Sequence, residues 1–98
     1  MIVTGVGCFF SATHNAPEGG GSHGHSYEVI AWFREGEDAR RLQAQLIAVT
    51  DPLDHSVLPD RLSSGEALAA YIGHSLVSCV EVEVRRPLER IYARWHAE

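Results

Sequence analysis

Alternating hydrophobic and polar positions near the start of the chain predict two β-strands. Residues 2–14 are rich in valine, cysteine and phenylalanine, and their glycines favour a twisted strand. Asn15–Ser22 contains a proline and three consecutive glycines, so a turn or loop is expected there. Along His25–Phe33 both the odd and the even positions include apolar residues. Neither face of this second strand should therefore be fully exposed to water.

The spacing of apolar residues becomes helical in the middle of the chain. Leu42, Leu46 and Val49 share one face if Asp38–Val49 forms a helix, while arginine and glutamine side chains point elsewhere. The TDPLDH sequence that follows should end this helix.

A second helix is predicted by three apolar residues that recur at every fourth position. They are Leu68, Ile72 and Leu76. The sequence Ser63-Ser64-Gly65-Glu66 precedes them and has the Ser-x-x-Glu spacing of a capping box, so the helix should begin there.

The last part of the chain returns to strand patterns. From Val80 to Val84 valines alternate with glutamates, which predicts a half-exposed strand. A short final strand is expected from about Leu88 to Trp95, after the Arg86-Pro87 break, although the pattern also allows a helix there. The order strand, strand, helix, helix, strand, strand predicts an α+β fold. It would be a single domain over residues 1–98, with a four-stranded antiparallel sheet and two helices on one face.

Charge and composition exclude several classes of protein. The 98 residues carry a formal net charge of −5 with scattered basic residues, so nucleic acid is not expected as a partner. No apolar run reaches the roughly 18 residues that a membrane span needs, and the first residues lack the charged start of a signal peptide. A cytoplasmic protein is therefore expected, with Cys8 and Cys79 reduced and buried. A core of this size favours an oligomer, because subunit contacts often reinforce it.

Three of the six histidines cluster near the predicted first turn. His23 and His25 should project from one face of their strand, and His14 can come alongside if the two strands pair. Three neutral imidazoles with an open fourth position are typical of catalytic zinc. Iron, nickel or copper would also bind such a set, and surface histidines at a loop are the alternative interpretation.

Four further motifs occur together and in order along the chain. They are FSATH at 10–14, HGHSYEV at 23–29, LDHSVL at 53–58 and SSGEALAAYI at 63–72. As a set they resemble the 6-pyruvoyl-tetrahydropterin synthase and 6-carboxy-tetrahydropterin synthase family, over most of the chain. The resemblance implies the ββααββ unit called the tunnelling fold, whose copies join their sheets into a trimeric barrel and stack as a hexamer. It also implies zinc bound by His14, His23 and His25, and a pterin site between subunits.

The resemblance assigns roles to further residues. Asp54 and His55 match the family's proton relay, in which the carboxylate orients and charge-stabilises the imidazole. An Asx-type stop after the first helix is the alternative for Asp54. Ser64 and Glu66 match the hydroxyl and carboxylate of the family's Pro-Thr-x-Glu motif, although helix capping explains Glu66 equally well.

The chain departs from the family at two functional positions. No cysteine lies between His14 and the HGH motif, where the family has its catalytic base, and Cys8 would be about 20 Å from His14 along an extended strand. The family's pterin-anchoring Glu-Thr is replaced by Val84-Arg85, in which Arg85 favours an anion instead.

Three hypotheses about function follow. The first is zinc-dependent, lyase-type chemistry on a pterin-like substrate, different from the conventional synthase reaction. The second is a non-catalytic homologue that binds a pterin or an anion. The third is an unrelated acidic α+β domain with solvent-facing histidines.

Overall fold

A four-stranded antiparallel sheet carries both helices on one of its faces. The computed structural model describes residues 2–15, 22–34 and 38–98, without the side chains of residues 22 and 23. The strands are β1 (Val3–Asn15), β2 (Ser22–Arg34), β3 (Cys79–Arg86) and β4 (Ile91–His96), and the helices are α1 (Ala39–Thr50) and α2 (Gly65–Ser75). The sheet order is β1-β2-β3-β4, so the predicted fold class and element order are confirmed. Neither helix is long and apolar enough to cross a membrane.

Strands β1 and β2 form a long hairpin that includes both end residues of the predicted first turn. The register pairs Asn15 with Ser22 and His14 with His23, so both ends of the predicted turn belong to strands. Residues 16–21, the remainder of that turn, lie outside the described residues. Because side chains alternate along a strand and opposite residues share a face, His14 and His25 lie on the same face of the hairpin.

The core lies between the sheet and the two helices. Apolar residues at alternate positions of the strands meet the helix stripes that the sequence predicted. The most completely buried side chains are Tyr27, Phe33, Leu46, Leu58, Leu68, Ile72, Val29, Val82 and Val84. Fully burying each of the larger aliphatic ones contributes about 1.5–3 kcal/mol relative to exposure. The fold therefore rests mainly on this one apolar layer.

The start of α2 differs from the sequence expectation by one residue. The N-cap is Ser64, whose Oγ accepts a hydrogen bond from the backbone N–H of Ala67 at 3.1 Å. Ser63 belongs instead to the preceding turn, where its hydroxyl donates to the backbone carbonyl of Asp60 at 2.9 Å. Either of the two adjacent serines could cap the helix. The observed cap is Ser64, and the next residue, Gly65, packs against Ala93.

The strand from Val80 to Val84 is more buried than its alternating pattern predicts. Val82 and Val84 face the helices as expected, but Glu83 on the opposite face is only 5% exposed. Long side chains from the same strand and from β4 cover it, including Arg85 of β3 and Arg94 of β4. The expectation of a half-exposed strand is therefore wrong at this residue, because arginine stems can cover a sheet face that has no helix above it.

Candidate functional site

His14 and His25 converge at the end of the β1–β2 hairpin. Their Nε2 atoms are 2.9 Å apart, and the two rings stack with centroids 4.9 Å apart and an angle of 19° between their planes. His14 is buried, and the side chain of His25 is 13% exposed. The pairing of strands that the sequence required for a shared ion therefore occurs for these two residues.

The opposite nitrogen of each ring is held by an acceptor. Nδ1 of His14 lies 3.1 Å from the backbone carbonyl of Asn15, and Nδ1 of His25 lies 2.8 Å from Oε1 of Glu89. A carbonyl and a carboxylate can only accept, so both Nδ1 atoms carry the proton when the rings are neutral. The two Nε2 lone pairs then face each other, an arrangement that a cation or an additional proton between them would stabilise.

For His23, the third predicted ligand, the structure describes only the backbone. The backbone of residue 23 pairs directly with His14 in the hairpin register. Its side chain lies outside the described part of the structure. Among the described side chains, no three or more histidine, cysteine, aspartate or glutamate residues form a group that could hold a metal ion.

The segment after α1 runs along the outer edge of β1 and carries the predicted relay. The N–H of His55 donates to the carbonyl of Ser11 at 2.6 Å, and Thr13 exchanges backbone hydrogen bonds with Ser56 and Leu58. Oδ1 of Asp54 accepts from the N–H of Ser11 at 2.9 Å. The position of Asp54 is thus set by the strand edge as well as by its place after the helix.

Asp54 and His55 form a loose pair. Oδ2 of Asp54 lies 3.6 Å from Nε2 of His55, which is beyond a good hydrogen bond but close enough for an electrostatic contact. The side chain of His55 is 84% exposed, and its backbone has a positive φ of 56°. The imidazole therefore extends from a tightly turned backbone towards solvent and the adjacent groove.

That groove joins the two predicted parts of the site. It has a volume of about 480 Å³, and its walls include His25 and Glu89 on one side and His55 on the other. Ser11, Ser26 and Ser56 also line it. The groove is therefore lined both by His25, a candidate metal ligand, and by His55, the histidine of the predicted relay.

The cysteines are separate from this groove. Both thiols are free; Cys79 is buried in the core, and Sγ of Cys8 lies 3.5 Å from Oγ1 of Thr50. Burial raises the pKa of the Cys8 thiol, and the nearby carboxylates Asp51 and Asp54 raise it further against the opposing effect of the Thr50 hydrogen bond. Cys8 therefore stays protonated at neutral pH, unlike a thiolate base.

Arg85 lies on the opposite face of the sheet from the histidines. Its guanidinium contacts Glu83 and, at 3.3 Å, Oε1 of Glu28. Although burial opposes ionisation of Glu83, hydrogen bonds from Arg85 and Arg94 outweigh it and hold the pKa of Glu83 below its usual range. The positive charge of Arg85 is thus largely compensated within the chain.

Ser64 and Glu66 lie at the start of α2, beside β4. A Cβ atom added to Gly65 would be 3.3 Å from Cβ of Ala93, which places this helix end against β4. Strand β4 is separated from β2 by β3, and Glu66 is exposed in the first turn of the helix. Within one chain, the predicted substrate-binding residues are therefore not assembled around the histidines.

Sequence reasoning missed Glu89 and Arg86. Both carboxylate oxygens of Glu89 are used: Oε1 by His25, and Oε2 by Nη2 of Arg86 at 2.6 Å. No local motif indicates this contact, because 64 positions separate His25 from Glu89 and only the β2–β3 register brings them together. An acidic residue in a turn is usually assigned to solvent.

The comparisons with known proteins agree with this architecture. Neither the protein-family models nor the curated proteins include a match to the sequence. Among solved structures, 6-pyruvoyl tetrahydropterin synthase from Caenorhabditis elegans is similar, with a TM-score of 0.82 and 16% sequence identity. The similarity covers 99% of this chain and 96% of that protein's chain. The fold implied by the sequence motifs is thereby confirmed: this chain has the tunnelling fold of 6-pyruvoyl tetrahydropterin synthase.

Proposed function

We propose that this protein is a divergent relative of 6-pyruvoyl-tetrahydropterin synthase. It binds zinc through His14, His23 and His25 and acts by lyase-type chemistry on a pterin-like small molecule. The observation that carries the proposal is the pair of Nε2 atoms 2.9 Å apart, each on a ring whose Nδ1 faces an acceptor. Bound zinc would supply a Lewis acid that polarises a substrate oxygen.

The donor set fits such an ion. Zn–N bonds of about 2.0–2.1 Å are long enough for one ion to reach both Nε2 atoms. The contact of each Nδ1 with a carbonyl or carboxylate resembles the outer hydrogen bonds that commonly orient metal-binding histidines. Residue 23 is the proposed third ligand because its backbone is directly opposite His14.

The proposed proton relay is His55 with Asp54. His55 faces the groove and is exposed, so its imidazole can exchange protons with a bound molecule and then with solvent. Asp54 is held by the Ser11 N–H, and its other carboxylate oxygen lies 3.6 Å from the His55 ring, where it can orient the imidazole.

The conventional synthase reaction is not proposed, for two reasons. Cys8 is protonated and is not among the residues that line the groove, so the described site has no thiolate base. Val84, at the position of the family's anchoring carboxylate, is buried in the core. A non-catalytic pterin- or anion-binding role is the second candidate, and the same two observations favour it.

We propose a homo-oligomer, a trimer or a hexamer, as the functional unit. Strands β1 and β4 form opposite edges of the sheet. The Asp54–Leu58 segment lies against β1, while Ser64 and Glu66 lie beside β4. Joining copies edge to edge would bring the proposed substrate-binding residues of one copy towards the relay of the next.

Metal content is the first test. We expect the purified protein to hold close to one zinc ion per chain after supplementation, measured by elemental analysis. His25→Ala should lose the ion, whereas His74→Ala should retain it, because His74 lies on α2 and packs against Trp95 with ring centroids 5.2 Å apart. A wild-type protein that takes up no zinc would contradict the site.

Turnover separates the two candidate functions. Zinc-loaded protein is incubated with dihydroneopterin triphosphate and related pterins, and the products are followed by mass spectrometry. A product that disappears in His55→Ala supports the enzyme. Saturable pterin binding without any product supports the binding protein.

A further inference from the structure

We propose that Glu89 is a positioning residue for the metal site, and that Arg86 holds Glu89 in place. Glu89 fixes the proton of His25 on Nδ1, so that Nε2 presents its lone pair beside His14. This inference rests on the metal site proposed above. It concerns a residue in the β3–β4 turn, outside the motifs that suggested the site.

The turn places Glu89 beside the histidine strand. Residues 87–90 connect β3 to β4, with the N–H of Glu89 donating to the carbonyl of Arg86 at 3.1 Å and that of Arg90 to Pro87 at 3.3 Å. Arg90 closes the turn with a positive φ of 57°. Because Arg85 pairs with Glu28 on β2, the turn that follows lies next to the part of β2 that contains His25.

The carboxylate of Glu89 is held from two sides. Oε1 accepts from His25 Nδ1 at 2.8 Å, and Oε2 accepts from Arg86 Nη2 at 2.6 Å. These short, charge-assisted contacts leave the carboxylate little freedom to rotate. A histidine whose Nδ1 donates to a fixed carboxylate is confined to one tautomer, the one in which Nε2 is an acceptor.

The position of the Arg86 side chain is unfavourable for one of its own nitrogen atoms. Its side chain is 23% exposed, and its buried Nε has no hydrogen-bond partner among the described residues. Burying a donor without a partner is unfavourable, so Nε does not account for the position of this side chain. The contact with Glu89 gives a reason for the position, because it neutralises and orients the carboxylate that faces His25.

Zinc affinity measured by competition with a chromophoric chelator tests the proposal. Glu89→Ala should weaken zinc binding by about 10- to 100-fold, as expected for loss of an outer-shell partner of a metal-binding histidine. Glu89→Gln should lie between wild type and Glu89→Ala, because the amide oxygen can still accept from Nδ1. Asp60→Asn, which alters an exposed carboxylate at another turn, is the matched control and should not change the affinity.

The contribution of Arg86 is measured in a double-mutant cycle. Arg86→Gln should weaken zinc binding in the wild-type background and have little further effect when Glu89 is already alanine. Additive losses would show that Arg86 does not act through Glu89. Circular dichroism of each variant confirms that it is folded.

A spectroscopic measurement on the metal-free protein is independent of zinc. Nitrogen-15 chemical shifts should place the proton of neutral His25 on Nδ1 in wild type, and this preference should diminish in Glu89→Ala and partly in Glu89→Gln. Wild-type protein that fails to bind zinc would contradict the metal site itself. If wild type binds zinc but the Glu89 variants retain both its affinity and the His25 tautomer, the metal site stands and the role of Glu89 is wrong.

Discussion

At the scale of single residues, paired charges have different consequences in the sheet and in the β3–β4 turn. Glu83 is ionised and almost fully covered, with Arg85 and Arg94 as partners. Glu89, at the turn, is 40% exposed and shares its charge between an arginine and a histidine. The first arrangement stabilises the fold, whereas the second orients a side chain for a proposed function.

The stability contributed by Glu83 should depend on pH. Its pKa is lower in the folded protein than its ordinary value of about 4.3, so the folded state favours the ionised form. The contribution is therefore present above the ordinary pKa and is lost as the pH falls through the lower, folded-state pKa. Glu83→Gln should reduce the free energy of unfolding by about 1–3 kcal/mol at pH 7, and by less near pH 3.

Urea unfolding at the two pH values measures this difference. Glu98→Gln, at the exposed end of the chain, is the control and should change the midpoint little at either pH. An equal loss for Glu83→Gln at both pH values would mean that packing, not charge, explains the effect.

At the scale of elements, the contact between α2 and β4 depends on one glycine. A Cβ atom at position 73 would lie 2.2 Å from Cε3 of Trp95, well inside the contact distance of two carbon atoms. Glycine in the last turns of a helix is intrinsically unfavourable, so its presence here is explained by the close approach of the indole.

Gly73→Ala should therefore destabilise the protein in spite of its better helix propensity. We expect a loss of about 1–3 kcal/mol in the free energy of unfolding, because the ring or the helix must shift. In a Trp95→Val background the same change should cost much less. Chemical denaturation of the four proteins of this cycle measures the coupling, and equal costs in both backgrounds would contradict the steric explanation.

At the scale of the whole molecule, the sheet has two edge strands, and the described helices cover one of its faces. The N–H groups of Ser11 and Thr13 bond outward to the Asp54–Leu58 segment. Since every second residue of a strand points its backbone groups to the same edge, those of Phe9 also point outward. Phe9 is 72% exposed, and Tyr92 on β4 is 57% exposed, so the proposed edge-to-edge pairing would cover an exposed aromatic side chain on each edge strand.

A charge on this edge should break the proposed oligomer. Wild-type protein at micromolar concentration should sediment as a trimer or a hexamer, and Phe9→Lys should shift it towards the monomer, because lysine blocks edge-to-edge strand pairing. Val77→Lys is the matched control: Val77 is 83% exposed in the connection between α2 and β3 and belongs to neither edge strand. A monomeric wild type in analytical ultracentrifugation would contradict the assembly.

The amino-acid pattern alone was enough to predict the order of the elements and the strand face shared by the key histidines. Strand alternation and helical stripes follow from the backbone geometry of each element, so Leu68 and Ile72 or Val82 and Val84 could be assigned to the core from their spacing alone. The same local rule, with the strand pairing expected across the glycine loop, placed His14 beside His25.

Contacts between residues far apart in the sequence could be identified only from the folded chain. The contact of Glu89 with His25, the position of Asp54 against Ser11 and the separation of Arg85 from the histidines depend on strand register and on how chain segments pack. A shift of one residue in register would place each side chain on the other face, and short local patterns do not encode that choice. For this reason the sequence predicted the candidate ligands, but the groups that orient them became visible only in the folded chain.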